Sequence, residues 1–180
     1  RVLLAAVLAR HRRGSTRGAE LRLLPTDQGF VLGKIVALPE SAAHDVFLER
    51  TGRLTLGRLN RVALASLGPR TDGQATHDCC EAFGYALVAF TASQTAGDTT
   101  SPIYHTNVML AIGSEWAVVC DAIIRDEDER HAVLQALADS GRTVFRITGA
   151  QANRFAGNRL EVRHARGQRF IPLSRAAPSP

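Results

Sequence analysis

A histidine and an asparagine stand two residues apart in the segment Ile103-Tyr104-His105-Thr106-Asn107-Val108-Met109-Leu110, which is otherwise largely apolar. If the segment is a strand, residues i and i+2 share a face, so His105 and Asn107 project together. Burying two polar groups is costly unless they find partners. A histidine titrates near neutrality and can move protons, which makes an active site one explanation for the pair. Two more polar clusters punctuate the chain: Leu48-Glu49-Arg50-Thr51-Gly52-Arg53, a carboxylate ahead of a glycine turn, and Gly68-Pro69-Arg70-Thr71, at the end of an apolar run. Taken one at a time, each has a bland reading: a core histidine that has found a hydrogen-bond partner, a turn carboxylate, a surface arginine.

The elements that must position these residues follow from periodicity. Leu54–Leu56 and Arg61–Ala65 read as two strands joined by a turn near Arg58–Asn60. Residues 73–84 read as a helix stopped by Gly84, with Cys79 and Cys80 on it as free thiols, at least one facing inward. Tyr85–Phe90 is a strand, Thr91–Thr100 a polar loop ended by Pro102, and Ile103–Ile112 a longer strand. A turn at Gly113–Glu115 leads into the strand Trp116–Cys120. Asp126 and Glu129 have capping-box spacing and start a helix whose stripe is Val133, Leu134 and Leu137, stopped at Gly141. Thr143–Ile147 is a strand. Thr148 and Gln151 repeat the capping spacing, and Arg159–Arg163 alternates as a strand, with a turn at Ala165–Gln168 before Phe170 and Ile171. Upstream, Val2–His11 reads as a helix and residues 14–41 as loop with one or two strands. From Leu54 the order is strand-strand-helix-strand, twice, which is a modular α/β pattern.

Composition bounds the rest. The 180 residues are 45% hydrophobic, which suits one globular domain. No apolar run is long enough to cross a bilayer. Val2–Leu8 is apolar, but Arg10, Arg12 and Arg13 follow it, the reverse of a secretory layout. The first residue is Arg1, so the chain is expected to be an internal piece of something longer. Three cysteines, two adjacent, build neither a disulfide framework nor a zinc site, and a reducing cytoplasmic setting is expected. The net charge is +5, carried almost wholly by arginine, with clusters from Arg1 to Arg22 and from Arg159 to Arg175. A single-strand nucleic-acid surface would want aromatics among such clusters. Only Phe170 is there, so neither nucleic acid nor a membrane is the expected partner.

Five segments together resemble the citrulline utilization hydrolase family, bacterial-type relatives of arginine deiminase and dimethylarginine dimethylaminohydrolase in the amidinotransferase-like superfamily. They are Phe47-Leu48-Glu49-Arg50-Thr51-Gly52, Ser66-Leu67-Gly68-Pro69-Arg70-Thr71, Ile103 to Met109, Trp116 to Cys120, and Phe155-Ala156-Gly157-Asn158-Arg159-Leu160-Glu161-Val162, in the family's order. The resemblance implies an α/β propeller of ββαβ modules (pentein-like) around a polar channel. Residues 47–173 would form part of that propeller, after a poorly matched segment 1–46 and before a frayed tail 174–180. It also implies chemistry on a guanidino or ureido carbon by a cysteine thiolate and a histidine, without cofactor or metal. On this resemblance His105 is the catalytic histidine. Glu49 grips the substrate's nitrogens, Arg70 meets its carboxylate, and Asn107 is a polar substrate-binding partner on the strand face of His105. Bidentate carboxylate–guanidinium pairing and a thiolate of lowered pKa suit that chemistry.

The chain departs from the family pattern in places. The family's nucleophilic cysteine lies in a glycine-rich segment after the Phe-Ala-Gly-Asn region, and Cys79, Cys80 and Cys120 do not match it. The first acidic substrate-binding motif is missing too. Arg50 and Arg53 stand where glycine and a small residue are usual, and Gly57 where aspartate is usual. The expectation is a hydrolase-family piece for a small guanidino or ureido substrate, inactive by itself. Two alternatives stand beside it: a non-catalytic relative that binds an arginine-like metabolite or a protein partner, and an arginine-rich nucleic-acid-binding domain. Assembly into a homo-oligomer is left open.

Overall fold

Asp72 and Gly84 bracket the first helix as their residue types dictate, and the strands on either side of it form one sheet. The computed structural model describes Leu48, residues 52–96 and residues 98–172. The segments expected to form an upstream helix (Val2–His11) and loop (14–41), Glu49 and the tail fall outside these residues. Strands β1 (Leu54–Gly57) and β2 (Val62–Ser66) pair antiparallel. Helix α1 (Gly73–Phe83) then crosses over, and β3 (Ala86–Phe90) pairs parallel with β2. The Asp72 carboxylate accepts the Ala75 N–H, and Gly84 ends the helix at φ +66, a conformation open to glycine.

A hairpin follows, β4 (Ser93–Ala96) with β5 (Thr99–Pro102). The second sheet repeats the plan of the first. β6 (Leu110–Ile112) and β7 (Trp116–Val119) pair antiparallel, helix α2 (Glu127–Ala138) crosses over, and β8 (Thr143–Arg146) pairs parallel with β7. Helix α3 (Gly149–Asn153) and a small hairpin, β9 (Val162–Arg163) with β10 (Arg169–Phe170), complete the described chain. The strand orders are β1-β2-β3 and β6-β7-β8. The middle strands β2 and β7 are buried almost throughout, which is why they read as continuous apolar runs.

One core joins the two sheets. Leu64 and Phe90 from the first pack with Leu110, Val118 and Val119 from the second and with Val133 and Leu137 of α2. Helix α2 packs against β3 as well as β8, so the helix of the second unit fills the space beside the first sheet. Cys79 and Cys80 of α1 are both buried, as is Cys120.

Three elements differ from the sequence expectation. Ile103–Ile112 is not one strand: a 3₁₀ turn spans Thr106–Val108, and only Leu110–Ile112 joins a sheet. The Asn107 N–H bonds to the Gly52 carbonyl and the Thr106 hydroxyl to the Arg53 carbonyl, so tertiary partners replace a strand ladder there. The stretch expected to be a polar loop, Thr91–Thr100, holds the β4–β5 hairpin. Threonine is polar but β-branched, and Thr95 and Thr100 share a hydroxyl contact of 3.0 Å across the ladder. Finally, Arg159–Leu160 is irregular and only Val162–Arg163 pairs. At α2, Asp126 caps as expected, but Glu129 does not turn back to complete a box. Its carboxylate takes the backbone N–H and the hydroxyl of Thr91, at 2.7 and 2.8 Å, and so ties α2 to the end of β3. The box at Thr148 and Gln151 is complete in both directions.

Candidate functional site

The strand registers place Leu54, Ser66 and Phe90 at one end of the first sheet, and Leu110, Val119 and Arg146 at one end of the second. These ends meet. The Thr55 hydroxyl donates to the Leu110 carbonyl, and the Ser66 N–H donates to the Thr106 hydroxyl at 2.9 Å. They are also the carboxyl ends of the parallel pairs β2–β3 and β7–β8, where open α/β sheets gather ligand-binding loops.

His105 and Asn107 stand here, half-buried, brought together by a turn instead of by strand alternation. His105 is extended at φ −145, and the chain then coils through Thr106–Val108. Both side chains lie against Gly52, which has φ +95. A Cβ on Gly52 would stand 2.7 Å from Asn107 Oδ1 and 2.9 Å from His105 Nδ1. Only a residue without a side chain lets the two approach the same stretch of backbone. Asn107 Oδ1 is shut off from solvent and accepts no hydrogen bond among the described residues. A buried amide oxygen in that state is ready for a donor, and leaving it unmet costs about 1–3 kcal/mol.

Thr106, between them, is fully buried and pins the turn. Its hydroxyl donates to Arg53 O at 2.6 Å and accepts from Ser66 N. From the other side Gly157 presses on the turn: a Cβ there would meet the Val108 carbonyl oxygen at 2.4 Å. The Phe-Ala-Gly-Asn and His-Thr-Asn segments, 48 residues apart from Gly157 to Met109, are thus in backbone contact. Neither Gly52 nor Thr106 was singled out as a site residue from the sequence. The glycine following Glu49, Arg50 and Thr51 was the available signal for the first, and nothing local signalled the second.

Glu49 lies outside the described residues. Arg70 is exposed on the turn after β2, where Gly68 and Thr71 form a bridge, at the same end of the sheet as Gly52. Arg53 is buried beside the site.

The cysteines supply no activated nucleophile. Burial raises all three thiols above their ordinary value; Cys80, with Cys79 beside it, and Cys120, with Asp121 beside it, reach about 11. A thiol held neutral at physiological pH is inert. The arginines of the C-terminal cluster are engaged in part: the exposed Arg169 reaches Ser114 and Glu115, and the half-buried Arg159 donates to the Ala156 carbonyl. On α1, His77, Asp78 and Glu81 bring ligand atoms within 4.8 Å of one another, and His77 and Glu81 are exposed. Among the described residues no helix is long and apolar enough to cross a membrane.

A family model described as N,N dimethylarginine dimethylhydrolase, eukaryotic, matches residues 1–179. No curated protein matches the sequence significantly. Among solved structures, the apo form of ArgZ, an arginine dihydrolase from the ornithine-ammonia cycle in cyanobacteria, superposes with a TM-score of 0.56 at 15% identity, over 82% of this chain and 22% of that one. The N-terminal domain of ArgZ as the C264S mutant bound to substrate gives 0.58 at 15% identity, over 84% of this chain and 50% of that one. The same domain bound to product gives 0.57. At such identity the likeness is one of fold, a mixed α/β fold, and the chain spans half of that domain.

Proposed function

This chain belongs to the N,N dimethylarginine dimethylhydrolase family, and we propose that it carries the proton-transfer and substrate-orienting part of a hydrolase acting on the guanidino or ureido carbon of an arginine- or citrulline-like molecule. The observation that carries this reading is the seat at Gly52, where His105 Nδ1 and an unsatisfied Asn107 Oδ1 face one stretch of backbone. A guanidinium or urea is planar and rich in N–H donors, the groups that Asn107 Oδ1 lacks. His105 exchanges protons with the leaving nitrogen and the incoming water. Glu49 holds the substrate's nitrogens and Arg70 its carboxylate. The two strand-strand-helix-strand units are neighbouring blades of a propeller, in a cytoplasmic enzyme closer to the citrulline utilization branch.

The nucleophile comes from outside these 180 residues, because each of the three cysteines is buried and neutral. The same observation favours a second reading, a non-catalytic relative that binds the metabolite without turning it over.

Two measurements on the 180-residue chain test this. Ammonia release from L-arginine and L-citrulline is expected to be absent, and release that disappears in His105→Ala would overturn the external nucleophile. Nuclear magnetic resonance of the His105 ring is expected to shift saturably with one of these compounds. Silence toward L-arginine, L-citrulline and dimethylarginine alike would sink the proposed substrate class.

A further inference from the structure

The turn that carries His105 and Asn107 has a second face, and that face is the wall of a cleft of about 620 Å³. Tyr104, which precedes His105, and Val108 and Met109, which follow Asn107, line it, together with Gln94 of β4, Ile123, Arg125, Asn153 of α3 and Phe155. The lining mixes apolar side chains, the partly exposed Ile123 and Phe155 among them, with polar ones, the mixture usual in a small-molecule site. Among the described residues Arg125 is the only charged side chain on the lining, which includes no carboxylate. It forms no ion pair or hydrogen bond among the described residues, in contrast to Arg130, Arg142, Arg146 and Arg169, all of which are bonded. The cleft lies at the carboxyl ends of β7 and β8, since the segments after both strands line it. Its link to His105 is direct: the Tyr104 and His105 rings are 4.9 Å apart between centroids and tilted by 49°.

We propose that this cleft is a binding site for a small monocarboxylate with an apolar body, its carboxylate held by Arg125 and its body lying against Ile123 and Phe155. A guanidinium with no ion pair among the described residues, in a cleft that also exposes apolar side chains, selects this class, because it pairs with a carboxylate in bidentate fashion. Occupancy is felt at His105 through Tyr104, whose ring forms part of the cleft wall and packs on the imidazole.

The test uses the chain with N-acetyl-L-leucine and its amide, N-acetyl-L-leucinamide, as probes. Neither carries a guanidino or ureido group, so the result does not depend on the reading of the Gly52 seat. The acid is expected to bind saturably, to shift the Tyr104 and His105 ring resonances, and to bind about tenfold or more tightly than the amide, the scale of one charge-assisted contact. Arg125→Gln is expected to erase the acid–amide difference, and Arg125→Lys to keep part of it. Arg125 is exposed, so matched thermal melts will show that these variants fold. Equal binding of acid and amide, no saturable shift at Tyr104, or an unchanged difference in Arg125→Gln would each overturn the proposal.

Discussion

Gly52 and Asn107 are in contact twice over: the Gly52 carbonyl accepts the Asn107 N–H at 3.0 Å, and the Gly52 α-carbon faces the Asn107 side-chain oxygen so closely that a methyl group would stand 2.7 Å from it. Substituting Gly52→Ala therefore meets a backbone penalty at φ +95 and a collision with both site side chains. We expect a loss of about 1–3 kcal/mol in urea denaturation and a displaced His105 ring resonance. An unchanged resonance in a folded variant would show that Gly52 does not seat the histidine.

Thr106→Val keeps the shape and removes the hydroxyl. The buried Arg53 carbonyl and Ser66 N–H then lose their partner, each loss costing about 1–3 kcal/mol. Thr106→Ser retains both bonds and is expected to recover most of that loss. Equal destabilisation by Val and Ser in urea melts would point to methyl packing as the role of this residue.

Gly157→Ala places a methyl group against the backbone of Val108 and Met109, which has no side-chain freedom to yield. Overpacking of this kind costs about 1–3 kcal/mol. The His105 and Asn107 resonances are expected to move although Gly157 touches neither side chain. Changes confined to residues 150–160 would refute the coupling between the two segments.

Glu161 stitches the C-terminal hairpin to the β6–β7 turn. Burial pushes its carboxyl pKa up, but hydrogen bonds from the Ser114 hydroxyl and N–H and the Trp116 indole, with the charge of Arg169, outweigh this and hold it below its ordinary value of 4.5. A carboxylate depressed in the folded state contributes stability that is fully present above its unfolded pKa. That stability fades as the pH falls from about 4.5 through the folded value. Stability measured between pH 6 and pH 3 should fall less steeply in Glu161→Gln, and parallel curves would contradict the assignment.

The thiols should be silent toward a disulfide reagent such as Ellman's at pH 8 in the native chain and should react once it is unfolded. Burial of all three, with Cys80 and Cys120 raised to about 11, is the reason. Rapid native labelling of any one of them would reopen the question of an internal nucleophile.

Local pattern carries the regular elements. The apolar runs Val62–Ala65 and Trp116–Val119, the cap at Asp126 and the box at Thr148 depend on side chains within a few residues of one another, so the sequence states them outright. Pattern fails where bonds come from far away. Ile103–Leu110 has a strand's composition, yet Gly52 and Arg53, more than fifty residues upstream, take the hydrogen bonds that would make it one.

By itself the sequence determined the twice-repeated order of strands and helix, and the chemical types of the residues that could act: a histidine, an asparagine, an arginine and a carboxylate, with three thiols beside them that match no nucleophile. Tertiary structure decided which of these meet. His105 and Asn107 share a seat because Gly52 has no side chain and a positive φ, and because Thr106 satisfies two distant backbone groups at once. The thiols are excluded because the core that joins the two sheets and the packing beneath α1 enclose them. Both outcomes depend on the packing of segments remote in the chain, which no local spacing of residues encodes.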